Sequence, residues 1–175
     1  MRHVGVGVVD VLDFARGRLG EGIILTLNTN EPMEELLNQV ITELRTVSPD
    51  RVITTDIRLN EPVKCDGRRI AQLFSNILGN ALTHGKKGAV VSVQATSDNG
   101  EFILSVTNTG NKIPEAAMER LFQPFSRGEV VPSQQGLGLG LYIASEIVRA
   151  HGGTLNVTST DEQTCFTFKL PASGN

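Results

Sequence analysis

The sequence predicts an α+β protein, a two-layer α/β sandwich in which a mixed, mostly antiparallel sheet carries three main helices on one face. Three observations point there. Ile70, Leu73, Phe74, Ile77, Leu78 and Ala81 recur at the spacing of a helical core face. Two β-rich runs, 90–96 and 102–108, flank Asp98-Asn99-Gly100, and Asn-Gly between such runs is a strong hairpin signal. Helices and strands otherwise alternate without regular βαβ units, so the helices are expected to share one face of the sheet.

The elements follow in order. Residues 8–19 place Val8, Leu12, Ala15 and Leu19 at helical spacing before the stop signals Gly20 and Gly22. Val4 to Val8 alternates with glycine like a strand, which leaves the first residues open. Residues 23–27 read as a short strand. Asn30 is placed to cap a helix with Pro32 in its first turn, running through Met33, Leu37, Val40, Ile41 and Leu44 to Ser48-Pro49. Residues 52–57 read as a strand and 62–65 as another short one. Asp66 is the N-cap expected for the long helix, which stops at Gly85. After the hairpin, Pro114 starts a short helix through Met118 and Leu121. Residues 126–137 have the Ser, Gln, Pro and Gly content of a loop. Gly138 leads into a helix with Ile143, Ile147, Val148 and Ala150, closed by Gly152-Gly153, and strands at 154–158 and 164–170 complete the chain.

Composition narrows the function. A chain of 175 residues, 39% hydrophobic, can bury one good core, so residues 21–175 are read as one domain. A net charge of −3, no Trp and a single Tyr offer neither a basic nor an aromatic surface for nucleic acid. Cys65 and Cys165 lack metal or disulfide spacing and read as reduced thiols of a cytoplasmic protein. No apolar run is long enough to cross a bilayer, so no membrane contact is expected from this segment.

The chemistry begins with a polar stripe. Gln72, Asn76, Asn80 and His84 recur every fourth residue and share one side of the long helix, beside its core face. A solvated stripe would more often carry Lys, Glu or Arg, which form better helices than Asn. Amides at the edge of a core suggest a face turned to a ligand. Gly136-Leu137-Gly138-Leu139-Gly140-Leu141 is the second feature. Glycines at the start of a helix let backbone N–H groups approach an anion. Alone, this run is equally a flexible hinge, and it lacks the preceding strand of a dinucleotide fingerprint. A phosphate ligand would bring Mg²⁺, and an amide oxygen such as that of Asn80 suits that hard ion. Asn108 ends a strand before a tight turn through Gly110 to Ile113-Pro114, where it can read a base edge or form an Asx turn. Leu121-Phe122-Gln123-Pro124-Phe125 completes the set and also reads as two core phenylalanines at a helix end.

In this order the four elements resemble the ATP-binding domain of sensor histidine kinases, the Bergerat (GHKL) fold. Asn76 to Ala81 resembles its N box and Val106 to Pro114 its first glycine box. Leu121 to Phe125 resembles its F box, Gly136 to Leu141 its second glycine box, and Thr164 to Pro171 its last strand. The similarity covers residues 21–171. Asn-x-Gly-x-x-Ile-Pro and residues 12–19 look most like bacteriophytochrome-type kinases. The resemblance implies that Asn80 holds Mg²⁺ and Asn76 lies near the phosphates. It implies that Asn108, where most members have Asp, accepts from the adenine amino group without a carboxylate's charge. Gly110, Ile113, Phe122, Phe125, Gly136 to Leu141 and Thr164 complete the implied ATP site, with His84 at the end of the stripe. Lys112 replaces a family glycine. Thr83 stands where many members are basic, and Lys86 or Lys87 is the candidate to supply that charge.

The resemblance also bears on the reaction. ATP hydrolases of this fold (gyrase, MutL, Hsp90) carry an acid four residues before the metal Asn, whereas Asn76 cannot accept a proton as a general base. Phosphoryl transfer to a histidine is therefore the implied activity, with a response regulator downstream. The acceptor is expected on a separate dimerisation domain of a homodimer, of which residues 1–20 look like the tail of the second helix. His3 lacks the acceptor context, and His151 at a helix end suits the dipole. The alternatives are a nucleotide-binding scaffold weakened at Asn108 and Lys112, and a stand-alone serine kinase of the anti-sigma type.

Overall fold

The computed structural model describes residues 24–28, 31–110, 112–123 and 140–171. Expectations for residues 1–23, for Phe125 and for the glycine run at 136–139 lie outside them.

Helix α1 (Met33–Val47) buries Met33, Leu37, Val40, Ile41 and Leu44, one apolar stripe at helical spacing. Pro32 takes the cap position itself, with no side-chain cap, two positions earlier in the helix frame than a cap at Asn30 would put it. Strand β1 (Val52–Leu59) leads through residues 60–66 into α2 (Gly67–His84). Asp66 is the N-cap, its Oδ1 accepting from the Arg69 N–H at 3.3 Å. The hairpin strands are β2 (Val90–Asp98) and β3 (Glu101–Thr109). Asn99 and Gly100 between them both have positive φ, 54° and 76°, as a two-residue turn matched to strand twist requires. The short α3 (Glu115–Glu119) follows, then α4 (Gly140–Ala150), β4 (Thr154–Ser159) and β5 (Gln163–Pro171).

The strands form one open sheet in the order β1-β2-β3-β5-β4. Only β1 and β2 are parallel, with α2 as the crossover between them; every other pair is antiparallel. Alternation decides which face is covered. Across β2, β3 and β5 the rows Val93-Val106-Phe166, Ala95-Leu104-Phe168 and Ser97-Phe102-Leu170 are buried on one face. Against that face lie the buried residues of α1, α2 and α4, in a single core. The fourth row, Val91-Asn108-Thr164, is also buried but two of its three members are polar. The sheet thus ends its apolar face in a polar step, where α2 also ends.

The short strands expected at 23–27 and 62–65 do not form. A single bridge, Asn28 with Cys65, is all that pairs there. Pro62 has no N–H to give a ladder, and the Thr26 N–H goes to Asp66 Oδ2 at 2.9 Å instead of a neighbouring carbonyl. Cys65 is fully buried; burial first, then the nearby Glu31 and Asp66 carboxylates, push its thiol up to about 12. It is an inert core thiol, and Cys165 is half-buried on the sheet. Among the described residues no helix is long and apolar enough to cross a membrane.

Candidate functional site

The polar stripe of α2 stays half-buried at Gln72, Asn76 and Asn80 and becomes exposed at His84, in the last turn. Asn76 Nδ2 donates to the Gly140 carbonyl at 3.0 Å, so this amide ties α2 to the first residue of α4. A carboxylate at position 76 would face that carbonyl with no proton to donate. The contact is close: a Cβ on Gly140 would stand 3.9 Å from Asn76 Cγ. Asn80 is one turn further along the same side, and its carboxamide has no hydrogen-bond partner among the described residues. Leu141 follows Gly140 and packs, half-buried, against the core.

At the C-terminal end of α2 the fold brings the strand ends in. Gly85 donates to the Ala81 carbonyl at 2.8 Å and Lys86 to the Thr109 carbonyl at 2.6 Å, which joins the helix end to the end of β3. Gly85 stops the helix with an extended φ of −71°, not the left-handed conformation expected of a glycine cap. The glycine is required by space. A Cβ there would meet the Ala81 carbonyl at 2.6 Å, Arg51 Nη2 at 3.1 Å and Asn108 Cβ at 3.2 Å. Arg51, absent from the sequence reading, donates to the Leu82 carbonyl at 2.6 Å and to the Lys86 carbonyl at 3.2 Å, a cation on the negative end of the helix. Lys86 and Lys87 are exposed in the turn that follows.

Asn108 is 5% exposed, and its one side-chain hydrogen bond among the described residues, Nδ2 to the Thr109 carbonyl, is long at 3.5 Å. Thr164, 4% exposed, is its register partner on β5. The Thr164 hydroxyl shares a hydrogen bond of 2.8 Å with Ser159 Oγ, which accepts from the Ile113 N–H at 2.9 Å. Ser159 therefore pins the turn after β3 to the edge of the sheet. Gly110 begins that turn, and a Cβ on it would reach Asn108 Nδ2 and the His84 carbonyl, each at 3.4 Å. Phe122 packs edge-on to Phe166, centroids 6.3 Å apart at 80°, so the core reading of the first phenylalanine holds. Asn76, Asn80, His84, Lys87, Asn108, Gly110, Ile113, Phe122, Gly140, Leu141 and Thr164 all lie in the described residues. The direct links among them are Asn76 to Gly140, the α2 end to the Asn108–Gly110 turn, and that turn to Thr164 through Ser159. Ser159 and Arg51 carried no signal in the sequence, since neither type is unusual where it stands.

His151 stands at a helix end, where it suits the dipole, and it has a second contact that the sequence did not indicate. Its Nε2 accepts the Asp66 N–H at 3.1 Å while Nδ1 faces the Ile147 carbonyl at 2.9 Å, the arrangement of a neutral ring. Burial, its largest influence, lowers the pKa; the Ile147 hydrogen bond and Asp66 oppose that.

A divalent ion can be tested against the donors present. Among the described residues no group of three or more His, Cys, Asp or Glu could form a cage. The free half-buried amide of Asn80 fits Mg²⁺ shared with phosphate oxygens and water, which is how that ion is usually bound. Gly79, beside Asn80, has nothing within 4 Å of where a Cβ would stand. Gly79→Ala is expected to raise stability by about 1 kcal/mol, the helix cost of glycine, as a higher urea midpoint at unchanged slope.

An open five-stranded mixed sheet with its helices on one face is the fold shared with histidine kinase catalytic domains of known structure. The chain belongs to the family described as histidine kinase-, DNA gyrase B- and HSP90-like ATPase, an ATP-binding family whose model matches residues 65–174. It is 35% identical over 167 residues to a bacteriophytochrome of Pseudomonas aeruginosa, covering 94% of this chain and 23% of that protein. It is 32% identical over 170 residues to the probable sensor histidine kinase TcrY of Mycobacterium tuberculosis, 90% of this chain and 36% of that one. The chain thus spans roughly a quarter to a third of these relatives. Full-length ShkA, solved in complex with AMPPNP, superposes with a TM-score of 0.75 at 29% identity, over 97% of this chain and 36% of that chain. The histidine kinase AdeS of Acinetobacter baumannii gives 0.71 at 21%, over 95% and 76%, a likeness of fold.

Proposed function

We propose that this domain binds Mg-ATP and passes the γ-phosphoryl to a histidine on a separate dimerisation domain, in a cytoplasmic sensor kinase that signals to a response regulator. The observation that carries the choice of reaction is Asn76. Its amide donates to the Gly140 carbonyl, at the position where a hydrolase of this fold needs an acid. With an amide in place of that acid, the chain's part is to hold and orient the nucleotide. Asn108, beside Thr164, would accept from the base, and Gly110 and Ile113 would shape its pocket. Phe122 would back the pocket from the core, with Phe125 beside it. The glycine run 136–140 and Leu141 would approach the phosphates with backbone N–H groups. Asn80 would hold Mg²⁺, whose charge offsets that of the phosphates, and His84 and Lys87 would line the rim. That ShkA was solved with AMPPNP, an ATP analogue, supports a nucleotide in this fold.

The test is a calorimetric titration of the chain with a non-hydrolysable ATP analogue, with Mg²⁺ and with EDTA. Saturable binding below about 1 mM is expected, the usual upper range for substrates, and it should weaken markedly in EDTA. No saturation at that concentration, with or without Mg²⁺, would sink the kinase reading in favour of a scaffold.

A further inference from the structure

Two hydrogen bonds fasten α4 to α2, one at each end. Asn76 on α2 donates to Gly140 at the start of α4, and the Asp66 N–H at the start of α2 donates to His151 at the end of α4. From 66 to 76 is ten residues and from 140 to 151 is eleven, about 15 and 16 Å of helix at 1.5 Å per residue. The near-equal spans mean that the two helices run antiparallel, with α4 held at both of its ends, by the N-cap of α2 and by the middle of α2. Asp66 also accepts from Arg69 and from Thr26, so the far fastening includes the extended segment around Thr26.

We propose that His151 is a positioning residue for the nucleotide site. Its neutral ring holds α4 along α2 so that Gly140 stays on Asn76, and a proton on the ring competes with nucleotide. This rests on the reading of the Gly140 end as the phosphate side. The logic is local. Nε2 can accept the Asp66 N–H only while it carries no proton, and Nδ1 must then donate to Ile147. A second proton on the ring sets two donors against each other and leaves a buried N–H unpaired. Nothing nearby fully compensates that proton. Asp66 faces the ring from α2, and its oxygens are engaged by Arg69 and Thr26. Glu31 accepts the neighbouring Gly67 N–H. On α4, Glu146 is paired with Arg149 at 2.7 Å, and the β5 groups against the neighbouring Gly153 are the Lys169 backbone carbonyl and the Phe168 ring, neither of them titratable. Because the folded pKa is depressed, the contribution to stability is present above the ordinary value of 6.5 and is lost as pH falls through the folded value.

Binding linkage is reciprocal, which gives a readout that a purely structural histidine would not move. The His151 ring protons are titrated by NMR between about pH 5 and 8, with and without saturating Mg-bound ATP analogue, and assigned by their loss in His151→Gln. The expected result is a His151 titration already below the ordinary range in the free protein, moved further down by nucleotide. In parallel, affinity of the unmodified chain should weaken about threefold or more from pH 7.5 to 5.5, and His151→Gln, whose amide oxygen replaces Nε2 without titrating, should remove most of that slope. A His151 titration that is the same with and without bound nucleotide overturns the proposal even if the glutamine variant does not fold. Failure of the unmodified chain to bind nucleotide at all would instead defeat the reading on which it rests.

Discussion

Asn80→Ala is expected to abolish the Mg²⁺-dependent part of nucleotide binding and to leave the fold slightly more stable. The two halves of that result have separate causes. Asn80 sits in the interior of an 18-residue helix, half-buried, on the side of α2 that also carries Asn76. None of the described residues hydrogen-bonds its carboxamide, so truncating it orphans no protein group among them. Asparagine is a poor residue for a helix interior, and alanine there gains about 0.5 kcal/mol. A half-buried amide that none of the described residues bonds is open to water or to a ligand. An amide oxygen offered to Mg²⁺ fits that, because the ion takes oxygen ligands and leaves most of its shell to phosphate and water. Even groups that only support a metal ligand cost about 10–100-fold in metal affinity when removed, and a direct ligand should cost no less. Affinity of the variant in Mg²⁺ is therefore expected to fall about a hundredfold, to the value the unmodified chain shows in EDTA. Calorimetry on both proteins, with urea midpoints as the control, checks it. A variant that binds as well as the unmodified chain in Mg²⁺ would remove Asn80 from the metal site.

Much of the domain was legible because its signals are local. The stripe on α2, the Asp66 cap and the Asn99-Gly100 turn are written within a few residues of where they act, and each appears as expected. The polar step at Asn108 and Thr164 could be placed at strand ends, and the ordered motifs resembled one family, to which the chain belongs. What escaped depends on partners far along the chain. Arg51 reaches Leu82 across 31 residues and His151 reaches Asp66 across 85. No property of either residue announces its partner. For His151 the helix end was legible and the partner was not: the Asp66 N–H makes the ring an acceptor, and burial lowers its pKa. Gly85 ends the helix where the sequence placed the stop, but what requires a glycine there was not legible: the Ala81 carbonyl, Arg51 and Asn108 leave no room for a Cβ.

The Gly152-Gly153 pair separates these two uses of glycine within one turn, and replacing each by alanine is expected to give very different losses. Gly152 has φ +74° and nothing within 4 Å of where a Cβ would stand. Its N–H bonds the Arg149 carbonyl at 3.0 Å and that of Gly153 bonds Val148 at 3.0 Å, the paired bonds of a Schellman cap on α4. Gly152→Ala therefore meets only the cost of a left-handed L-residue, about 1–2 kcal/mol. Gly153 has ordinary φ, so its backbone would accept any residue. Its space would not. A Cβ there would collide with the Lys169 backbone carbonyl on β5 and stand 3.4 Å from Phe168, which is fully buried. Backbone in a paired strand cannot swing aside as a side chain can, so relief must come from lifting the start of β4 off β5, where Thr154 pairs Lys169. Overpacking of this kind costs about 1–3 kcal/mol where a core can adjust and more where it cannot, and Gly153→Ala is expected at about 3 kcal/mol or above. For a domain with about 5–15 kcal/mol in total this is a large part of its stability. Urea unfolding of the two variants gives the order directly, and a Gly153 variant no less stable than the Gly152 variant would show that the β4 edge yields more easily than its packing indicates.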